Sequence, residues 1–229
     1  MNLQIKNILG TDIHCRPGTW DEGIAHEVIT GDVYSLRALK ADGGSPRVIC
    51  DIGGHIGIFS TYCGKLWPEA KIYLYEPDSD NFEVVMENIK GNPNICGFNC
   101  AVVGDPDATS VNFIKCLDLP YPENTGGGAT AGVENSDATY KVDAVTISHC
   151  LDSFGHIDLL KLDCEGAEDE ILQYALDNDL LNNIGWIRGE WHGADTIINM
   201  QKSLADSHVL SYTHLEEHLG TFIAHSKKI

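Results

Sequence analysis

The chain has 229 residues, 43% of them hydrophobic, which predicts one globular domain with a sizeable core rather than a disordered chain. Lys+Arg number 15 against 34 Asp+Glu, a formal charge of -19, and a field of that sign disfavours nucleic acid and anionic membrane surfaces as partners. No apolar run is long enough to span a bilayer, and the opening MNLQIKNILGTDIHC lacks the apolar core and cleavage site of a secretory signal, so a cytoplasmic protein is expected.

In chain order, Thr19 to Glu22 (TWDE) fits a capping box ahead of a short helix carrying Ile24, Val28 and Ile29 and ending near Gly31. ADGGSP is a turn, RVICD a buried strand, and Gly53 to Gly57 a glycine turn leading into a helix from Ile58 that stops before Pro68. KIYLYEP reads as a second strand. DSDNFEVVMENIKG then has Phe82, Val85, Met86 and Ile89 at helical spacing, with Asp78 or Ser79 capping its start and Gly91 its end. ICGFNCAVVG is read as a third strand. Strand–helix–strand–helix–strand is half of a doubly wound α/β sheet.

A β excursion follows. SVNFIK and KVDAVTI are strands, and residues 117–139 between them form a polar loop rich in Gly and Pro. IDLLKLD is a buried strand, CEGAEDEILQYALDN a helix with acids in its first turn, and IGWIRGEWH another strand. Asp195 caps a helix carrying Ile197, Ile198, Met200 and Leu204, and HVLSYTH with TFIAHS closes the chain as a hairpin. The eight cysteines include no Cys-x-x-Cys pair and are read as reduced, small core hydrophobes.

The glycine turn has glycines at 53, 54 and 57, which is not the G-x-G-x-x-G of a dinucleotide site. The pattern is D-x-G-x-x-x-G, with Asp51 at the strand end, where an acid would oppose a pyrophosphate. Glu76 ends the next strand, 25 positions on, where a carboxylate can accept from both hydroxyls of a ribose. A ligand with ribose hydroxyls, a positive centre and no phosphate is S-adenosylmethionine. Tight packing of the turn on its own helix remains the alternative.

At these residues the chain resembles the FkbM-type family of class I S-adenosylmethionine-dependent methyltransferases. RPGTWDEGIAHEVITGDVY, VICDIGGHIGIFS, IYLYEPDSDNFEVVMENI, IDLLKLDCEGAEDEIL and GEWH carry the likeness from Arg16 to His192, and the string from Lys161 to Glu168 is its most specific part. The resemblance implies a Rossmann-like, seven-stranded, mostly parallel sheet with an antiparallel last strand in a single domain. Residues 1–45 would be an N-terminal cap and 105–142 the β excursion. It implies O-methylation of small molecules or saccharides, with Asp51, Gly53, Gly57 and Glu76 lining the cofactor. Gly54, His55, Pro77 and Ala101 beside them, and Glu27 and Tyr34 from the cap, complete the expected cofactor contacts. Gly54-His55 departs from the Ala-Asn common in the family.

Ligands of such sheets lie beyond the carboxyl ends of the strands. His192 is the first candidate base, since its ordinary pKa lies near neutrality. Glu165 either takes part or merely matches the helix dipole. Asp163, at the end of a buried strand, needs a partner. Glu190 shares strand parity with His192, and Trp191 should pack on the opposite face. Asp163, Glu165, Glu190 and His192 can also serve a divalent cation, but no metal is assigned. Tyr121 and Asn124 of the 117–139 loop are candidate sugar contacts if that loop covers the substrate. His214-Leu215-Glu216-Glu217-His218 matches H-x-x-E-H, a zinc-peptidase string, yet its β-like context argues for a hairpin turn. The function expected is methyl transfer from S-adenosylmethionine to a hydroxyl of a small metabolite, a saccharide or glycosylated product. The alternatives are an NAD(P)-dependent oxidoreductase and a non-catalytic module of the same fold.

Overall fold

The computed structural model describes residues 2–115, 123–130, 139–193 and 195–228. The chain opens with a hairpin absent from the sequence reading, β1 (Gln4–Ile8) and β2 (Thr11–Cys15). Leu9 and Gly10 turn it with φ of 48° and 74°. Leucine is an unusual residue for such a turn, which is why the sequence did not signal it.

The first helix, α1 (Asp21–His26), runs directly into a π-helical turn at Glu27–Gly31. The capping box does not form. Trp20 holds the N-cap position, Thr19 donates to the Arg16 carbonyl at 2.9 Å, and Glu22 turns away to Lys6 at 2.8 Å. A second short helix, α2 (Leu36–Ala41), begins where Asp32 accepts from the backbone N–H groups of Leu36 and Arg37.

The strand–helix alternation follows as β3 (Val48–Ile52), α3 (Ile58–Leu66), β4 (Lys71–Tyr75), α4 (Ser79–Asn88) and β5 (Ile95–Phe98). Asp78 caps α4 by accepting from the N–H groups of Asp80 and Asn81. The buried face of α4 uses Val84 and Val85, while Met86 is exposed. The expected long third strand breaks at Asn99, whose side-chain amide donates to the carbonyls of Glu76 and Pro77. Beyond that break, β6 (Ala101–Val103) leaves the main sheet and joins β7 (Ser110–Phe113) and β8 (Tyr140–Thr146) in the order β6-β8-β7.

Then come α5 (Ser148–Phe154), which the sequence did not reveal, β9 (Ile157–Leu162), α6 (Glu168–Asp177), a 3-10 turn at Leu181–Asn183, and β10 (Ile184–His192). The chain closes through α7 (Thr196–Leu204), β11 (His208–Tyr212) and β12 (Leu219–Ser226). The Asp195 side chain makes no capping bond; Thr196 instead donates to the His192 carbonyl at 2.5 Å. His214 to His218 form the β11–β12 turn, with the N–H groups of Leu215 and Glu216 both on the Leu219 carbonyl, so the H-x-x-E-H string has no helix.

The main sheet has seven strands in the order β11-β12-β10-β9-β3-β4-β5. β10, β9, β3, β4 and β5 are mutually parallel, and β12 runs antiparallel to both its neighbours. Alternate residues feed opposite cores. Ile49, Ile72, Leu74 and Leu159 pack with the N-terminal hairpin, α3 and α4, whereas Cys50, Ile52, Tyr75, Leu160 and Leu162 pack with α5, α6 and α7. Strand order reverses between β3 and β9, which opens a crevice at their carboxyl ends. The seven cysteines among the described residues are free; most are buried, but Cys96 is exposed on β5. Among the described residues no helix is long and apolar enough to cross a membrane.

Candidate active site

The crevice holds a cavity of about 280 Å³ walled by the ends of β3, β4, β9 and β10, by α1 and its π turn, and by the 123–130 segment. Gly53, His55, Glu76, Pro77 and Ala101 line it, as do Glu27 and Tyr34 from the N-terminal segment and Asp163, Glu165 and Glu190 opposite. Asn124 also lines it, with its side-chain oxygen accepting from the N–H groups of Gly126 and Gly127. Tyr121 and most of the 117–139 loop lie outside the described residues.

The glycine turn serves packing and cavity together. Gly53 and Gly54 both donate to the Tyr75 carbonyl, at 3.1 and 2.9 Å, which ties the turn to β4. A side chain at Gly53 would place its Cβ 1.7 Å from the Asp163 carbonyl oxygen, and at Gly54 it would meet Leu74 at 2.5 Å. Gly57, at φ 83°, starts α3. Gly54 and Gly57 therefore shape the turn from behind the wall, while Gly53 and His55 face the cavity.

Asp51 is fully buried beneath the turn and does not line the cavity. It accepts from Ser60 Oγ at 2.7 Å and lies 3.3 Å from Lys161 Nζ. Lys161 was not assigned a role from sequence, although a lysine within the apolar run IDLLKLD was the available signal. Its ammonium donates to the Gly53 carbonyl at 2.5 Å and lies 3.7 Å from Asp163. Burial opposes its charge, but Asp51 and Asp163 outweigh burial and hold its pKa above the ordinary lysine value. Asp163 has the partners it needed. Burial acts to raise its pKa, yet Lys161, His192 and the Tyr34 hydroxyl, which donates to it at 2.6 Å, hold it below the ordinary carboxylate value.

Glu76 sits at the end of β4 with its carboxylate anchored by the N–H groups of His55 and Asp78, each at 2.8 Å. Burial pushes its pKa up to about 8. Each oxygen keeps acceptor capacity for a further donor from the cavity.

His192 corrects the expectation of a histidine base. It is absent from the cavity wall. Its Nδ1 lies 3.0 Å from fully buried Glu168, and its Nε2 stands 3.6 Å from Glu165 and 4.0 Å from Asp163. Burial works against its charge, but the bond to Glu168 and the three surrounding carboxylates raise its pKa to about 10. The surrounding carboxylates thus favour the protonated ring over the free imidazole that a general base requires. Glu165 precedes α6 rather than beginning it, in a left-handed turn with φ 57°. Burial raises Glu165 to about 7, and burial followed by the nearby Asp163 charge raises Glu190 to about 8. Trp191 points to the other face of β10, its ring N–H on the Thr213 carbonyl. Asp163, Glu165 and His192 can each offer one ligand atom to a metal, all within 4.8 Å of one another; among the described residues no other grouping does so.

A second cluster went unseen in the sequence. Fully buried Asp21, the residue inside TWDE, accepts from the backbone N–H, Nε and Nη2 of Arg16 at 2.8, 2.9 and 2.9 Å, and from Thr125 Oγ1 at 2.7 Å. His55 Nε2 lies 2.8 Å from that same Thr125 hydroxyl, and Arg16 also donates to Asn81 on α4 at 2.8 Å. The cluster binds the N-terminal segment, the glycine turn, α4 and the 123–130 segment at one point. Burial raises the Asp21 pKa, but hydrogen bonds from His55 and Arg16 dominate and hold it well below the usual carboxylate range.

A family profile described as the methyltransferase FkbM domain matches residues 51–217, most of the chain and all of the strand ends just described. The chain belongs to the FkbM methyltransferase family. It is similar to methyltransferase sdnD of Sordaria araneosa, 26% identical over 182 residues covering 66% of this chain and 67% of that protein. It is also similar to methyltransferase 1 of Beauveria bassiana, 24% identical over 189 residues covering 71% of each. Among solved structures, the METTL16 methyltransferase domain superposes with a TM-score of 0.51 at 11% identity, covering 87% of this chain and 67% of that one, a likeness of fold.

This FkbM-family enzyme is thus an S-adenosylmethionine-dependent methyltransferase, and the oxidoreductase alternative falls away. The wall suits that cofactor. Glu76 offers acceptors at the second strand end, the wall carries carboxylates for a cation, and His55 Nδ1 is buried with no hydrogen-bond partner among the described residues.

Proposed function

We propose that this enzyme methylates a hydroxyl of a small uncharged acceptor, a saccharide or glycosylated metabolite. The observation that carries the reading is one cavity bounded by Glu76 on one wall and by Glu165 and Glu190 on the other. S-adenosylmethionine supplies an electrophilic methyl group when bound. Glu76 would hold the ribose hydroxyls, with Pro77, Ala101, Gly53 and His55 around the adenosyl portion. Tyr34 fixes Asp163 by its hydrogen bond, leaving the second carboxylate oxygen free to orient a donor group of either ligand.

Alignment of the two reactants is the main demand of in-line displacement and accounts for about 7–11 kcal/mol in favourable cases. The acceptor hydroxyl must also lose its proton. Glu190 is the group proposed to take it, because its carboxyl faces the cavity and His192 does not. His192 then acts behind it, as a fixed positive charge between Asp163, Glu165 and Glu168.

A second route to an acidified hydroxyl is a divalent cation, which Asp163, Glu165 and His192 would hold once the ring gave up its Nε2 proton, supported by the 4.8 Å grouping; His192 would then be a ligand rather than a positive charge. Calorimetry with S-adenosylmethionine and S-adenosylhomocysteine tests the cofactor part, and a dissociation constant weaker than about 1 mM for both would refute it. Turnover by a Glu190→Gln variant tests the base, with kcat expected to fall about 10²–10⁴-fold. Loss of turnover in EDTA, restored by Mg²⁺, would favour the cation over the base.

A further inference from the structure

The first helix turns a single stripe toward the cavity. Trp20, Ile24, Glu27 and Val28, spaced i, i+4, i+7 and i+8 through α1 and the π turn, all line it. Three of the four are apolar, and Glu27 is the one ionisable side chain among them. Trp20 is 42% exposed, the most open of the four tryptophans. Ile24 packs on the core beneath yet keeps part of its side chain open. A partly open aromatic and aliphatic surface on a cavity wall is a contact surface for an apolar ligand.

The stripe is held firmly before any ligand arrives. The Trp20 N–H donates to the Glu123 carbonyl at 3.1 Å, and the next residue is the buried Asp21. At the other end the Asp32 N–H closes the π turn on the Glu27 carbonyl, while Arg37 donates to the carbonyls of Ile29 and Thr30 at 2.6 and 3.0 Å. Asp32 and Ser35, left-handed at φ 57° and 53°, bracket Tyr34 and its bond to Asp163. Turns of the π type recur at functional sites, and a surface fixed in this way costs little further ordering on binding.

The adenosyl contacts proposed above, Gly53, His55, Glu76, Pro77 and Ala101, come from the ends of β3 and β4 and the start of β6. The helix stripe is left for the second reactant. A free sugar, ringed with hydroxyls, would lose water against three apolar side chains and regain few hydrogen bonds. A hydroxylated ring joined to an apolar body would gain from the same surface. We propose that Trp20, Ile24 and Val28 form the floor of the acceptor subsite, that Glu27 accepts a hydrogen bond from an acceptor hydroxyl other than the one methylated, and that the acceptor is a glycoside of an apolar aglycone rather than a free saccharide. The inference rests on the methyl-transfer reading and chooses within it.

Calorimetry on protein saturated with S-adenosylhomocysteine tests the subsite, with phenyl and methyl β-glucopyranoside as probes that share a sugar and differ in the aglycone. The phenyl glycoside should bind at least about fivefold more tightly than the methyl glycoside. Trp20→Ala and Ile24→Ala should each remove most of that preference while changing S-adenosylhomocysteine affinity by less than about twofold, and two variants guard against one of them misfolding. Glu27→Ala should weaken both glycosides alike, by about threefold or more, and full affinity in that variant refutes the part given to the carboxylate. A phenyl glycoside that binds no better than the methyl one, or not at all, overturns the proposal, as does a preference unmoved in both apolar variants. Cofactor-product affinity that falls together with glycoside affinity in both of those variants also overturns it, since the stripe would then belong to the cofactor. Failure of S-adenosylhomocysteine to bind the native protein overturns instead the methyl-transfer reading beneath it.

Discussion

Replacing Asp21 by asparagine keeps the side chain's shape and removes its charge. The carboxylate is fully buried, accepts three hydrogen bonds from Arg16 and one from Thr125, and lies 3.4 Å from His55 Nε2. Arg16 is itself mostly buried, with a side-chain exposure of 14%. The variant would therefore leave a guanidinium in a poorly solvated place without its counter-charge. Breaking a buried pair by removing one partner typically costs about 3–5 kcal/mol, and the asparagine amide recovers part of the hydrogen bonding, so a loss near 3 kcal/mol is expected.

The sign with pH is fixed as well. Asp21 has a folded-state pKa depressed below its unfolded value. Its contribution is complete above the unfolded value of about 4 and is lost as pH falls through the folded value. Urea unfolding at a series of pH values would measure this. The stability gap between native protein and Asp21→Asn should be full at pH 7 and begin to close below about pH 4. A gap under about 1 kcal/mol at pH 7, or one that does not narrow in acid, would refute the account of Asp21 as a charged hub.

Lys161→Met should cost about 3–5 kcal/mol by leaving Asp51 unmatched beneath the turn, and adding Asp51→Asn to it should recover stability rather than lose more; additive losses in the double variant would contradict the pairing. Gly53→Ala combines a positive φ of 76° with a Cβ placed 1.7 Å from the Asp163 carbonyl oxygen. It should destabilise by more than about 2 kcal/mol and weaken S-adenosylhomocysteine binding, and an unaltered melting midpoint would show that the turn is looser than described.

The parts of the fold legible in the sequence were those governed by local pattern. The alternation of buried strands and amphipathic helices from Val48 to Asn88 left Asp51, Gly53 and Glu76 at strand ends, as drawn. Asp78 capped its helix because a side-chain acceptor ahead of an amphipathic run has a local use. What escaped depended on partners far along the chain. Asp21 looked like part of a cap because TWDE satisfies that pattern, yet its real partners include Thr125, 104 positions away. His192 looked like a base because an isolated histidine titrates near neutrality, whereas Glu168, 24 positions earlier, binds its ring. Lys161 carried a legible signal, a charge inside an apolar strand, and its meaning lay in Asp51 on the neighbouring strand. Asn99 broke what read as one strand into two because its amide found the backbone carbonyls of Glu76 and Pro77, just past the end of β4.

The place of β12 bears on how the strand carrying Glu190 is held. β12 follows β11 along the chain, yet it is wedged between β10 and β11 and pairs with β10 from Trp186 to His192. Without Leu219–Ser226, the backbone bearing Glu190 would keep only its β9 flank, and β11 would lose the one strand it pairs with in the described sheet. A loosening of that late, out-of-order strand would therefore reach the cavity through β10 rather than through any residue of its own.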